Sequence, residues 1–410
     1  MIWAKVFFLI LVCHTCVDAK VIEVCKTCQV KSINEGISKA SAGDVVFVKS
    51  GVYKEFNIEI RKPLRIVSTE KPVIDAEKKG HIFEVFCDNV TIQGFHLKNV
   101  AQSYIKEYAG VQIFKANNFK VLNNTFDKIF FGVKVEKSRR GIIKGNIIKG
   151  EAKDEAGSGN GVHLWHCDDI LVEGNYISGM RDGIYLEFVT NSKVLKNKSE
   201  KNIRYGLHYM FSNNDEYHYN TFNNNGAGVA VMFSKFINMS NNVFYNNWGP
   251  SSYGILLKEI YDAKIEDNTF MENTTGIYLE GSTRVSYDRN DFIKNGWAVK
   301  VVGSSYSNVF KQNNFLHNSF DVSYNSKINE NKFEGNYWSS YTGYDLDRDG
   351  TGDVAYRPVK LFSYVVNKTP ETIVLLRSLF VDIINFSEKV SPVFTPDDLS
   401  DIKPMMKPFK

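Results

Sequence analysis

A short strand that opens on glycine recurs along this chain: GVQIF at Gly110, GVKVE at Gly132, GVHLW at Gly161, GIYLE at Gly183, GLHYM at Gly206, GVAVM at Gly228, GILLK at Gly254 and GIYLE at Gly276. Successive glycines lie 22, 29, 22, 23, 22, 26 and 22 residues apart, a period of about 22 with loop insertions. A second marker keeps step with the first: an asparagine opens a short strand at Asn124, Asn146, Asn175, Asn220, Asn242, Asn268, Asn290 and Asn314. Helical repeats need about 33 to 47 residues per unit and a 3.6-residue apolar period, which is missing here. Several four- to five-residue strands in each 22-residue unit describe one coil of a solenoid, stacked on the next at the interstrand spacing of about 4.8 Å. The expected fold is all-β, a right-handed parallel β-helix over residues 20–335, with asparagine at the corners because it tolerates the left-handed backbone conformation.

A solenoid has open ends that need covering. Near the N-terminus, SINEGISKA has Ser32 and Glu35 in capping-box spacing and Ile33, Ile37 and Ala40 on one helical face, which predicts a capping helix. GDVVFVKSGVY, LRIVS and NVTIQGFHL then read as the first coils.

The repeat also sets side-chain direction. In each glycine strand the residues one and three after glycine are almost always Val, Ile or Leu and point inward, so those two and four after it point outward. In GLHYM the outward pair is His208 and Met210. The same columns hold Tyr185 and Glu187 one coil earlier, His163 and Trp165 two coils earlier, and Ala230 and Met232 one coil later. The expectation is an exposed stripe of Trp165, Glu187, Met210 and Met232 flanked by His163, Tyr185 and His208. Thioether and imidazole donors suit Cu(I), whereas Ca²⁺ and Mg²⁺ prefer oxygen. The same residues would equally make an apolar protein-binding face, so His208, Met210, Met232 and His163 are candidate Cu(I) ligands and Trp165, Tyr185 and Glu187 candidate partner contacts.

Residues 1–19 have Lys5 ahead of the apolar run Val6 to Val12 and small residues at plausible cleavage positions, which reads as a secretory signal too short to span a bilayer. Net charge is +4, from 50 basic and 46 acidic residues, with no basic block, which argues against nucleic acid as a partner. Outside the cytoplasm Cys25 and Cys28, a lone C-x-x-C, are read as a local disulfide, with a metal or redox pair as the alternative.

Residues 336–368 read as an Asp/Gly-rich loop region closing the solenoid. There Asp345, Asp347, Asp349 and Asp353 match positions one, three, five and nine of a calcium loop, with Gly350 at the turn, but Tyr356 stands where an EF-hand needs Glu. The alternatives are a looser Ca²⁺ site and an Asp/Gly turn held by its own hydrogen bonds. Residues 369–410 read as an amphipathic helix followed by an extended proline-rich tail. Thr369 and Pro370 open the helix, and Ile373, Leu376, Phe380, Ile383 and Ile384 repeat at helical spacing. Ile373, Leu376, Phe380 and Ile383 would cap the solenoid or dock on a membrane-bound partner.

The coils, RYGLHYMFSNND, GNYWSSYTGYDLDRDGTGDVAYRP and the tail opening LLRSLF together resemble the NosD family over nearly the whole chain after the signal. The resemblance implies a non-catalytic periplasmic β-helix that works with an ABC transporter, made of the permease NosY and the ATPase NosF, and with the copper chaperone NosL. Its implied role is to help assemble the copper centres of apo nitrous-oxide reductase, with membrane association through the permease. The resemblance carries no copper ligand over to a position in this chain. A rival reading is a carbohydrate-active enzyme, since many use β-helices, and a second is a metal-free scaffold. Hydrolysis needs cooperating carboxylates on one face. Asp168 and Asp169 are adjacent and face opposite ways, and Asp182, Glu187 and Arg181 do not complete such a set.

Overall fold

The computed structural model of the chain describes residues 19–325, 330–390 and 399–409. The proposed signal, residues 1–19, lies almost wholly outside these. Each coil contributes one strand to each of three parallel sheets, which hold 14, 13 and 12 strands among the described residues. In one coil these are Lys193–Leu195 in the first sheet, Lys198–Glu200 in the second and Tyr205–Met210 in the third. The chain is thus the parallel β-helix that the repeat predicts, with Val, Ile, Leu and Phe of all three sheets filling one continuous interior.

The glycine marker exists because neighbouring coils approach too closely for a side chain. A Cβ on Gly206 would lie 2.6 Å from the carbonyl oxygen of Gly228, and one on Gly228 would lie 2.5 Å from that of Gly254. The asparagine marker has a different cause from the one expected. Asn124, Asn146, Asn175, Asn220, Asn242, Asn268 and Asn290 are buried, and the left-handed residue is the one before each, such as Asn123 (φ 51°) or Tyr219 (φ 58°). The buried amides form a ladder: Asn220 N and Nδ2 both donate to Asn242 Oδ1, at 3.0 Å each, and Asn220 Nδ2 also donates to Val194 O. The ladder includes Asn197 and passes through Asn313, one residue before the expected Asn314. Beside it, Phe222, Phe244, Phe270, Phe292, Phe315 and Trp338 stack at centroid spacings of 5.5, 4.7, 5.0, 4.8 and 4.0 Å.

Both ends are closed. Helix α1 (Ile33–Lys39) covers the first coils, with Ser32 Oγ accepting the Glu35 N–H. At the far end the described tail does not run off into solvent. Residues 399–409 return to the last coil, where Asp401 bridges Phe333 and Met405 bridges Tyr337. The buried Asp401 carboxylate accepts the N–H and Nδ2 of Asn336 and Nε1 of Trp338, at 2.8, 3.0 and 3.1 Å, and so terminates the asparagine ladder. Part of the region read as a loop is helix α2 (Leu361–Lys368), whose Phe362 and Val366 pack with Trp297 and Phe320. The single helix expected from Pro370 is a 3₁₀ turn over Pro370–Leu375 followed by helix α3 (Leu379–Val390). Leu376, Val381 and Ile384 all reach the same apolar cluster. A straight helix would place Leu376 and Val381 about 140° apart, so the chain breaks between them.

Candidate metal and docking site

Sheet register puts His163 beside Tyr185, Tyr185 beside His208 and His208 beside Ala230, while Trp165, Glu187, Met210 and Met232 form the adjacent column. Tyr209 points into the core and His208 away from it, as the strand alternation requires. The stripe is nevertheless not the exposed one expected. His208 is 5% exposed, His163 is buried, and Tyr185 and the Trp165 to Met232 column are half-buried. The rings themselves supply the cover. Tyr185 lies between the two histidines with centroids 4.8 Å from each, and Tyr205 packs on His208 at 4.9 Å.

A charged group sits beneath this cover. Asp182 is fully buried at the start of its strand and accepts two hydrogen bonds from Arg204, Nε to Oδ1 at 2.9 Å and Nη2 to Oδ2. Arg204 holds the Asp182 carboxyl below its usual range against the opposing effect of burial. Arg181 Nε approaches Asp182 Oδ2 at 3.8 Å, and His208 Nδ1 approaches it at 3.9 Å, beyond hydrogen-bond reach. Neither ring nitrogen of His208 has a hydrogen-bond partner among the described residues. An orphaned buried polar group costs about 1–3 kcal/mol, so this imidazole is held at a thermodynamic disadvantage. His163, by contrast, contacts Asn160 Nδ2 at 3.3 Å, and burial with the nearby Lys134 charge pushes it down to about 3.

The donor set fits a soft cation. His208 offers an unpartnered nitrogen, and Met210, two residues on, has its sulfur 3.7 Å from the Tyr185 hydroxyl that donates to it. Met232 is the register neighbour of Met210. His163 stands two coils from His208, about 9.5 Å by interstrand spacing, with the Tyr185 ring between them. The two histidines therefore do not share one coordination sphere in this arrangement.

The sequence reading missed the flank of this stripe. At the corner after each strand, His166, Phe188, Phe211 and Phe233 stack with centroids 4.6, 5.2 and 5.0 Å apart, all four with left-handed φ between 50° and 54°. Phe188 is 40% exposed and Phe211 38%. Bulky side chains are uncommon in that conformation. The signal was present in LEFV, YMFS and VMFS, where the residue after the strand is Phe in three consecutive coils.

The coils bearing the stripe fall within residues 151–343, which match the family model described as "Periplasmic copper-binding protein (NosD)". The chain is 26% identical over 370 residues to a "Probable ABC transporter binding protein NosD" of Pseudomonas aeruginosa, covering 86% of each chain. It is 26% identical over 379 residues to the Stutzerimonas stutzeri protein of the same description, covering 87% of this chain and 86% of that one. The chain is thus similar to the NosD family, through its central coils and through these two relatives. Among solved structures, a family 28 exopolygalacturonase of Yersinia enterocolitica matches with TM-score 0.57 at 9% identity, covering 77% of this chain and 78% of that one, a likeness of fold.

The family-model match ends at residue 343, just before the acidic turn. Oxygens of Asp345, Asp347 and Asp349 lie within 4.8 Å of one another. Asp353 stands apart from that group and accepts the Leu346 N–H at 2.7 Å, while Asp345 and Asp349 accept the N–H groups of Gly350 and Thr351. Hydrogen bonds within the turn thus account for part of the Asp/Gly pattern. Of the tail residues singled out, Ile373, Phe380 and Ile383 are exposed, together with Val374, Leu379 and Phe386, whereas Leu376 turns inward. Cys25 and Cys28 are joined, with Cα atoms 5.0 Å apart, while Cys87 and Cys167 are free. No helix among the described residues is long and apolar enough to cross a membrane.

Proposed function

We propose that this chain is the periplasmic platform of an ABC-transporter-linked system that assembles the copper centres of nitrous-oxide reductase, receiving Cu(I) as cargo and presenting it for handover. The observation that carries the reading is the buried His208 imidazole with both nitrogens unpartnered, next to the thioethers of Met210 and Met232. Cu(I) selects this combination of nitrogen and sulfur donors. The two relatives, described as probable ABC transporter binding proteins, support an accessory role beside a transporter rather than catalysis.

In this reading the stacked Phe188, Phe211 and Phe233, with Trp165, Tyr185 and Glu187, are where the chaperone or the apo-reductase docks. The exposed apolar residues of the 3₁₀ turn and α3 engage the permease, whose ATPase drives the cycle. The acidic turn is a candidate Ca²⁺ site separate from copper handling. A carbohydrate-active role would need a second carboxylate working with Asp182, and Asp182 is fully buried in its Arg204 clamp.

The test is copper loading of apo-reductase in cells carrying Met210→Ala with Met232→Ala. Both side chains are half-buried at the outer edge of the sheet, so the fold should persist, seen as an unchanged thermal midpoint, while loading falls. Full loading by the double variant would remove the claim.

A further inference from the structure

Asp182 and His208 sit on consecutive coils of the third sheet, Asp182 in register with Tyr205 and the His208 ring packed against that same Tyr205. The carboxylate cannot turn away, because Arg204 holds both of its oxygens. Arg204 also lies over the Tyr205 ring, its guanidinium carbon 5.0 Å from the centroid. The imidazole is confined in turn by the Tyr185 and Tyr205 rings. What remains is a short gap, 3.9 Å from Nδ1 to Asp182 Oδ2, with Nε2 unpartnered. A histidine that ligates a metal characteristically gives its second N–H to a carboxylate, which fixes the tautomer and the ring plane and strengthens the other nitrogen as a donor.

We infer that Asp182, clamped by Arg204, is a positioning residue for His208. It holds the proton on Nδ1, so that Nε2 is the nitrogen offered to Cu(I), and the 3.9 Å gap closes when the cation draws on the ring. This rests on His208 being a copper donor. It adds that the donor strength of the site is set by a buried ion pair which does not touch the cation.

The experiment uses the full mature chain, with Cu(I) alone as the probe, under anaerobic competition with a chromophoric chelator. Wild type is compared with Asp182→Asn, His208→Ala and the double variant, and the copper-loaded forms are examined by X-ray absorption. Asp182→Asn keeps shape but loses the charge. It should weaken Cu(I) binding roughly 10- to 100-fold and reduce the nitrogen scattering while sulfur scattering stays. In the His208→Ala background it should change affinity less than about twofold, because its effect runs through the imidazole. An equal loss in both backgrounds, or an unchanged nitrogen signal, would overturn the assignment. Should Asp182→Asn fail to fold because Arg204 is left unpaired, the charge-free pair Asp182→Asn/Arg204→Gln replaces it with the same expectations. Wild type and His208→Ala binding Cu(I) equally would instead refute the donor reading on which this one stands.

Discussion

Replacing Asp401 by alanine tests how the far end of the solenoid is closed. The carboxylate accepts three bonds that the last coil buries completely, from Asn336 N, Asn336 Nδ2 and Trp338 Nε1, and two more from Gly335 N and Lys403 N at its edge. Water can satisfy the edge donors. The three buried ones would lose their acceptor, and at about 1 kcal/mol each, the low end for an orphaned buried group, the loss is about 3 kcal/mol. Stability in a stacked repeat is a sum of near-neighbour terms, so the loss should stay local. Opening of the last coil should therefore rise roughly 150-fold, since 1.4 kcal/mol corresponds to a factor of ten. Hydrogen exchange read by mass spectrometry should show faster exchange over residues 332–341 and 399–409, with residues 205–300 unchanged. Asp401→Asn should lie between, because an amide oxygen can still take both Asn336 donors as every other ladder member does. Unchanged protection at Asn336 and Trp338 in the alanine variant would refute the idea that the tail caps the ladder.

Three further outcomes follow from the same geometry. Phe211→Asn puts a residue suited to left-handed backbone where an exposed Phe stands, so stability read by thermal unfolding should hold or rise by up to about 1 kcal/mol, while affinity for the docking partner falls. A clear destabilisation would mean the aromatic stack is structural. Asp215 is buried, its carboxylate accepts only the Ser192 N–H among the described residues, and burial pushes it up to about 8. A raised carboxyl pKa means the protonated form is favoured in the folded state, so its contribution is complete below about pH 4 and is lost as pH rises to about 8. Asp215→Asn should consequently gain stability over wild type between about pH 5 and 8, by on the order of 1–3 kcal/mol, measured by urea titration at several pH values, and a pH-independent difference would contradict it. If the acidic turn binds calcium, calorimetric titration of the full chain should show a Ca²⁺ signal that Asp347→Asn abolishes; no signal in wild type leaves the turn to its own hydrogen bonds.

The coil was legible because its markers are dictated by backbone spacing. Glycine recurs where a Cβ would strike the next coil's carbonyl oxygen, and alternation from it correctly turned Tyr209 inward and His208 outward. Burial of His208 was not legible, because the cover comes from Tyr185 and Tyr205, whose packing depends on ring orientation rather than on strand parity. Asp182 and Arg204 are 22 residues apart and meet only because one coil stacks on the next. The asparagines were placed correctly in frequency but not in role, since the residue before each one turns the corner and the buried amide bonds along the stack. At the C-terminus helical periodicity was real, but the break between Leu376 and Val381 reflects a tertiary cluster that no local pattern encodes.

The proposed function requires that this chain itself take up Cu(I) through His208, Met210 and Met232. The direct test is anaerobic Cu(I) titration of the purified mature protein against a competing chelator, with the three single alanine variants beside wild type. Wild type should bind one Cu(I) tightly and each variant should lose that binding; wild type that leaves all the copper on the chelator would refute copper uptake by this chain and reduce the stripe to a docking surface.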